Sequence, residues 1–148
     1  MKQLYIAYGS NMHMEQMRRR CPKAKPIGSA ELNGYKLQFN GVATIIPSEY
    51  ETVPVAVWEI TEECEKALDS YEGFPYHYRK EYVEIEIYGK KQEAMVYIIN
   101  NDRKSPPSTY YYNVIEEGYT DFNINLKPLR KALNEANDYY MENYHTNW

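Results

Sequence analysis

Glu72 lies in the segment Leu68-Asp69-Ser70-Tyr71-Glu72-Gly73-Phe74-Pro75, which places its carboxyl in the last turn of a predicted helix, with Asp69 three residues earlier on the same side. The negative end of the helix dipole, the Asp69 charge and partial burial beside Tyr71, Phe74 and Tyr78 all disfavour its ionisation, so its pKa is expected to move up. A carboxylic acid poised toward neutrality suits general acid/base chemistry. The plainer reading of the same residue is a solvated helix-end glutamate. A second candidate is Tyr8-Gly9-Ser10-Asn11-Met12, where an apolar strand runs through Gly-Ser-Asn into a helix. Backbone N–H groups gathered at a helix start make an anion site, though many such segments are simple turns. The motif lacks the second glycine of GxSxG, so no serine nucleophile is indicated. His13, His77 and His145 are scattered, with neither HExxH nor facial-triad spacing, and Cys21 and Cys64 have no CxxC spacing. No metal, cofactor or disulfide framework is therefore expected, and both cysteines read as buried hydrophobes.

The elements that must position these groups follow from pattern. Leu4 to Tyr8 is a buried strand, and Met12 to Arg20 a helix stopped before Pro22 with Ser10 or Asn11 as its N-cap. From Ala30 to Trp58 strands dominate: Tyr35, Leu37 and Phe39 alternate, Val42 to Ile46 is a short apolar run, and Val53, Val55 and Val57 alternate again, with breaks expected at Gly41 and Pro47. Thr61-Glu62-Glu63 starts a helix that runs to Tyr71, with Gly73 suited to the left-handed position past its end. Tyr82–Tyr88 and Gln92–Ile99 form a hairpin around a three-residue loop, Gly89-Lys90-Lys91. Ser108 caps a helix that spaces Tyr111, Ile115 and Gly118. A last helix begins near Leu126, with Pro128 early and a stripe of Leu129, Leu133, Ala136 and Tyr140. The class is α+β, with a mostly antiparallel sheet able to close into a barrel.

Composition bounds the rest. Leu, Ile, Val and Phe supply only 28 of 148 residues, and the missing core mass comes from 17 Tyr, 6 Met and 2 Trp. Tyrosine buries a large ring yet keeps a hydroxyl that needs a partner, which points to a folded domain with a polar-lined cavity. One domain spanning residues 1–148 is expected. A net charge of −4 without a basic stripe excludes a dedicated nucleic-acid binder. Arg18-Arg19-Arg20 reads as a solvated helix face or as charges complementing the helix C-terminus. No apolar run is long enough to span a membrane and Met1 to Leu4 does not open a signal-peptide core, so a cytoplasmic protein with no membrane partner is expected. Oligomeric state is not legible.

Tyr5-Ile6-Ala7-Tyr8-Gly9-Ser10-Asn11-Met12 resembles the substrate-loop motif of the γ-glutamylcyclotransferase-like family. Further blocks resemble that family in the same order: Gly41 to Pro47, Val57 to Thr61, Leu68-Asp69 through Glu72-Gly73 with Tyr78-Arg79, and Pro107-Ser108 through Tyr111, Ile115 and Gly118. The resemblance covers Leu4 to Ile124 and rests on the ordered set. It implies a small, mostly antiparallel β-barrel with peripheral helices and a cavity at the barrel mouth. By the same resemblance Glu72 matches the catalytic acid/base, Tyr5, Ile6, Ala7, Tyr8, Gly9, Ser10 and Asn11 match the substrate-binding segment, and Tyr111 matches a substrate contact. The implied reaction is cyclotransfer on a small-molecule γ-glutamyl substrate, releasing 5-oxoproline and a free amine or amino acid. A non-catalytic small-molecule-binding module on the same barrel is the alternative, and a tyrosine-faced interaction protein a third. One position departs from the family: Val55 stands where relatives carry glycine before the Val-Val-Trp strand. It points either into the core or into the cavity mouth, which it would then narrow toward small leaving groups.

Overall fold

The computed structural model describes residues 2–144; His145, one of the three histidines, lies outside them. Its elements are β1 (Gln3–Ala7), a 3-10 turn (Ser10–Met12), α1 (Met14–Arg20), β2 (Lys25–Asn40), β3 (Val42–Ile60), α2 (Glu62–Glu72), β4 (Tyr78–Ile87), β5 (Lys90–Ile99), α3 (Thr109–Asp121) and α4 (Lys127–Tyr144).

The strands form one five-stranded sheet in the order β2-β3-β1-β5-β4. All neighbours are antiparallel except β1 and β5, which run parallel with Tyr5 opposite Met95. The α+β class and the mostly antiparallel sheet are as expected, but the barrel does not close: β2 and β4 are edges, not hydrogen-bonded neighbours. They are drawn together by side chains instead. The Tyr88 hydroxyl, beyond the end of β4, donates to Ile27 O on β2 at 2.5 Å, and Gly28 faces the same hydroxyl. β1 sits mid-sheet with Tyr5, Ile6 and Ala7 all buried, which is why this strand reads as a continuous apolar run rather than an alternating one.

Several boundaries follow local chemistry. Thr61 caps α2 by accepting from Cys64 N at 3.2 Å, and three glutamates in its first turn complement the dipole. Gly73 ends the helix at φ 67°, ψ 38°. Ser108 caps α3 by accepting from Tyr111 N. Three expectations are corrected. The β4–β5 turn is the two-residue Tyr88-Gly89 rather than Gly89-Lys90-Lys91, with both residues at positive φ (52° and 75°) as the twist of a tight hairpin demands. Pro47 does not break its strand: β3 continues, and the register shifts between Asn33, opposite Thr52, and Tyr35, opposite Pro47, so the intervening residues bulge outward. On α4 the buried stripe is Leu129, Ala132 and Ala136, while Leu133 is half-buried and Tyr140 exposed.

Cys21 and Cys64 are buried and free, as expected, and meet where α1 approaches α2, with Cys21 Sγ 3.7 Å from Cys64 O. Burial pushes the Cys21 thiol up to about 12. Gly118 brings α3 close to the 3-10 turn: a Cβ there would sit 2.8 Å from Met12 C and 2.9 Å from His13 N. The contact is fastened on either side by His13 Nε2 with Glu117 (2.8 Å) and by Met14 N donating to Asp121 (3.0 Å). Trp58 closes the opposite side, donating to Asn11 O at 3.1 Å and meeting Phe122 edge-on at 5.7 Å. No helix of the described residues is long and apolar enough to cross a membrane.

Candidate active site

A cavity of about 200 Å³ opens beside the C-terminal end of β1. Its lining includes every residue that the family resemblance matches to the site: Tyr5, Ile6, Ala7, Tyr8, Gly9, Ser10, Asn11, Glu72 and Tyr111. Val42, Ala43, Tyr71, Tyr78 and Tyr97 complete it. At this size it admits a head group rather than a whole drug-sized ligand, for which pockets of roughly 300–1,000 Å³ are usual.

Glu72 is the one charged side chain among these lining residues. It sits at the final residue of α2 and is half-buried. Burial pushes its carboxyl up to about 7, against the pull of the Arg20 guanidinium, which favours the carboxylate. The expected direction is therefore right but one expected cause is not. Asp69 is turned away from Glu72 into its own network: Lys80 Nζ lies 2.9 Å from Asp69 Oδ1 and 2.5 Å from Glu65, and the Tyr97 hydroxyl donates to Asp69 Oδ1 at 2.6 Å. Asp69 is paired with Lys80, and desolvation is the dominant cause of the Glu72 shift.

Phenols surround the carboxyl. Tyr111 OH accepts from Ala43 N at 3.0 Å, Tyr8 OH donates to Tyr97 O at 2.5 Å, and Tyr5 OH accepts from Asn11 Nδ2 at 3.0 Å. Burial, reinforced by the nearby Glu72 charge, holds the Tyr5, Tyr8, Tyr78 and Tyr111 hydroxyls well above the ordinary phenol range. They stay protonated at neutral pH; Tyr5 and Tyr111, whose oxygens accept in the bonds above, can donate to an anion, whereas the Tyr8 O–H is committed to Tyr97 O. Tyr5 and Tyr97 pack edge-on at 5.8 Å, which couples the cavity wall to the Asp69–Lys80 network behind it.

The Gly9-Ser10-Asn11 segment departs from the expected strand-to-helix junction. It turns through the 3-10 turn, with Met12 N donating to Gly9 O and His13 N to Ser10 O, and α1 starts only at Met14. The N-cap is His13, whose Nδ1 accepts from Gln16 N at 3.2 Å, and not Ser10 or Asn11. No residue of the seven-residue α1 lines the cavity, so the Gly9-Ser10-Asn11 turn, and not a helix start, is what the site offers an anion. Arg20 is likewise more than a solvated charge. Arg18 and Arg19 are exposed and pair with Glu15, whereas Arg20 bonds Asn11 and stacks on Tyr71. Tyr97, Val42 and Ala43 are legible as strand residues but not as site residues, because strand pattern cannot say which buried face opens on a cavity.

Val55 is 0% exposed and absent from the cavity lining; it pairs with Ala30 across β2–β3 and belongs to the core. Its side chain therefore cannot narrow the cavity. Val55→Gly is expected to cost about 2–4 kcal/mol, combining lost burial with a glycine in a strand interior, and to leave the ranking of ligands unchanged. Denaturant unfolding alongside a substrate panel checks this, and a reordered panel would return Val55 to the site.

Residues 5–118 match the family model described as gamma-glutamyl cyclotransferase, AIG2-like. The chain is 33% identical to a gamma-glutamylcyclotransferase of Bos taurus over 92% of its own length and 80% of that protein, and 31% identical to one of Homo sapiens with the same coverage. A solved structure named gamma-glutamyl cyclotransferase superposes with a TM-score of 0.81 at 27% identity, covering 89% of this chain and 86% of that one.

Proposed function

The chain belongs to the gamma-glutamyl cyclotransferase, AIG2-like family, and from that premise we propose that it is an enzyme acting on the γ-glutamyl amide of a small molecule, releasing 5-oxoproline and a free amine or amino acid. The observation that carries this reading is the meeting, in one head-group-sized cavity, of Glu72 with a carboxyl at about 7 and the Gly9-Ser10-Asn11 turn. The nucleophile is the substrate's own α-amino nitrogen, so no serine or cysteine nucleophile is needed. Glu72 as carboxylate takes a proton from the α-ammonium. The freed nitrogen attacks the γ-carbonyl carbon and closes a five-membered ring; the bond to the leaving nitrogen then breaks as Glu72 returns its proton to that nitrogen, and the second proton still on the ring nitrogen passes to the departing amine, which leaves as an ammonium while the ring becomes the neutral lactam of 5-oxoproline. No water is consumed.

The cavity's part is to hold a flexible chain in the ring-closing conformer, which recovers much of the advantage of an already tethered nucleophile. Backbone N–H groups of Gly9 to Asn11 hold the α-carboxylate or the developing oxyanion, and the protonated phenols of Tyr5 and Tyr111 supply further donors. The small volume supports recognition of the γ-glutamyl head, with the leaving group directed outward. We read the chain as one domain working in the cytoplasm, a setting that suits its two free, buried thiols.

The test is 5-oxoproline release across a panel of γ-glutamyl amino acids and amines. Release from at least one member, and from none of the matching α-glutamyl isomers, is expected; no release from any member overturns the reading. The pH profile is a second expected outcome. The carboxylate form starts the reaction, so kcat/KM should rise with pH through an apparent pKa of about 7 and fall roughly tenfold per unit below it. An acid limb at the ordinary carboxylate value would assign the proton transfer to another group.

A further inference from the structure

Glu72, Asn11 and Arg20 come from three separate segments and meet in a chain of directed hydrogen bonds. Arg20, the last residue of α1, is half-buried; its guanidinium donates to Asn11 Oδ1 through one terminal nitrogen and to Gln16 Oε1 at 2.6 Å through the other. Its central carbon lies 3.7 Å from the ring centroid of Tyr71. A carboxamide is nearly symmetric in shape but not in chemistry, since one end accepts and the other donates. A guanidinium only donates, so its contact decides which end of Asn11 is which. The amide nitrogen is then directed to Tyr5 OH at 3.0 Å and, through a longer contact, to Glu72 Oε1 at 3.4 Å. Asn11 is buried. Flipping it would set its amino group against the guanidinium and its oxygen against the carboxylate, two mismatches at a buried side chain.

We propose that Arg20 is a positioning residue that, by locking the orientation of the Asn11 amide, keeps an N–H directed at Glu72 and so holds the acid/base in its proton-accepting form. The inference rests on the role proposed for Glu72. The groups facing that carboxyl are Arg20 from α1, Tyr5 from β1, Tyr8 from the segment after it, Tyr78 from β4, Tyr111 from α3 and Tyr71 from its own helix; the exposed His77 lies against Gly73, the next residue. The Tyr5, Tyr8, Tyr78 and Tyr111 hydroxyls remain protonated through neutral pH, so Arg20 is the cation that opposes burial of Glu72.

The experiment is a carbon-13 NMR titration of the Glu72 carboxyl in the full chain, with the resonance assigned by its loss in Glu72→Gln. The wild type is compared with Arg20→Met, Arg20→Lys, Asn11→Ala and the Arg20→Met/Asn11→Ala double variant, and kcat/KM is measured in parallel. Arg20→Met should raise the midpoint by about one pH unit and lower kcat/KM about fivefold at pH 7, where the wild-type carboxyl is already half protonated. Lysine keeps the charge without the planar fork, so Arg20→Lys should recover only part of the shift. In the double variant the two shifts should be clearly less than additive, because one residue acts through the other. An unmoved midpoint in Arg20→Met overturns the proposal. So does full restoration by Arg20→Lys with additive shifts, since Arg20 would then be a point charge only. Should Arg20→Met fail to fold, the Arg20→Lys midpoint decides: a wild-type value overturns the lock. The titration needs no turnover, so a wild type that releases no 5-oxoproline overturns the functional reading while leaving this result readable.

Discussion

Glu72→Gln is expected to lower turnover by about 10²- to 10⁴-fold while a γ-glutamyl ligand still binds, because the substitution removes one ionisable proton and little volume. Glutamine cannot accept the α-ammonium proton or return it to the leaving nitrogen. The same variant should be more stable than wild type at alkaline pH. The folded carboxyl protonates at about 7, above the ordinary carboxylate range. Between those two values the folded state binds more protons than the unfolded one, so wild-type stability falls as pH rises through that window. Glutamine carries no such penalty. A gain of about 1–2 kcal/mol at pH 8, shrinking toward pH 5, is the expected size. Turnover assays and thermal melts at both pH values check the two halves together. Near-normal turnover would remove Glu72 from the mechanism, and a stability gap that does not depend on pH would remove the desolvated carboxyl.

Gly9→Val should reduce kcat/KM by about 10²-fold or more, the scale on which a displaced positioning group is felt. The φ of Gly9, −120°, lies outside the left-handed region. What excludes a side chain is space: a Cβ on Gly9 would lie 3.2 Å from Tyr111 OH and 3.4 Å from Ala43 Cβ. The branched methyls of valine would push Tyr111 off Ala43 N and occupy the cavity. Gly9→Ala should fall between the two, with Tyr111 giving by a few tenths of an ångström. Calorimetric binding of a γ-glutamyl ligand and of its α-carboxamide analogue gives the readout: the wild type should prefer the carboxylate, and the valine variant should bind neither. Wild-type affinity in Gly9→Val would mean that the ligand does not approach this backbone.

Much of this site is local in sequence, which is why it was legible. Tyr5 to Asn11 form one strand and its following turn, and Glu72 is fixed by a capped helix whose end is marked by Gly73. Tyr111 follows from the Ser108 cap one turn earlier. What stayed hidden depends on contacts between distant segments. Tyr97 enters the wall only because β5 runs parallel to β1, a pairing no turn signal announces. Asp69 was expected to repel Glu72, yet Lys80 on β4 claims it across the fold. Arg20 looked like the third of three surface charges, and only the tertiary approach of Asn11 and Tyr71 distinguishes it from Arg18 and Arg19. Barrel closure was overestimated for a related reason, because alternation marks strands without saying whether the two edges hydrogen-bond. Val55 is ambiguous for as long as both faces of β3 are candidates for the cavity; in the fold both are buried around Val55, and the cavity meets β3 only at Val42 and Ala43.

The most direct measurement of the central claim is the fate of oxygen during turnover of a γ-glutamyl substrate in oxygen-18 water. Attack by the substrate's own amino nitrogen predicts 5-oxoproline without label, formed one-to-one with the released amine and absent in Glu72→Gln. Glutamate carrying oxygen-18 would contradict the account, because water rather than the α-amino group would then be the nucleophile in this cavity.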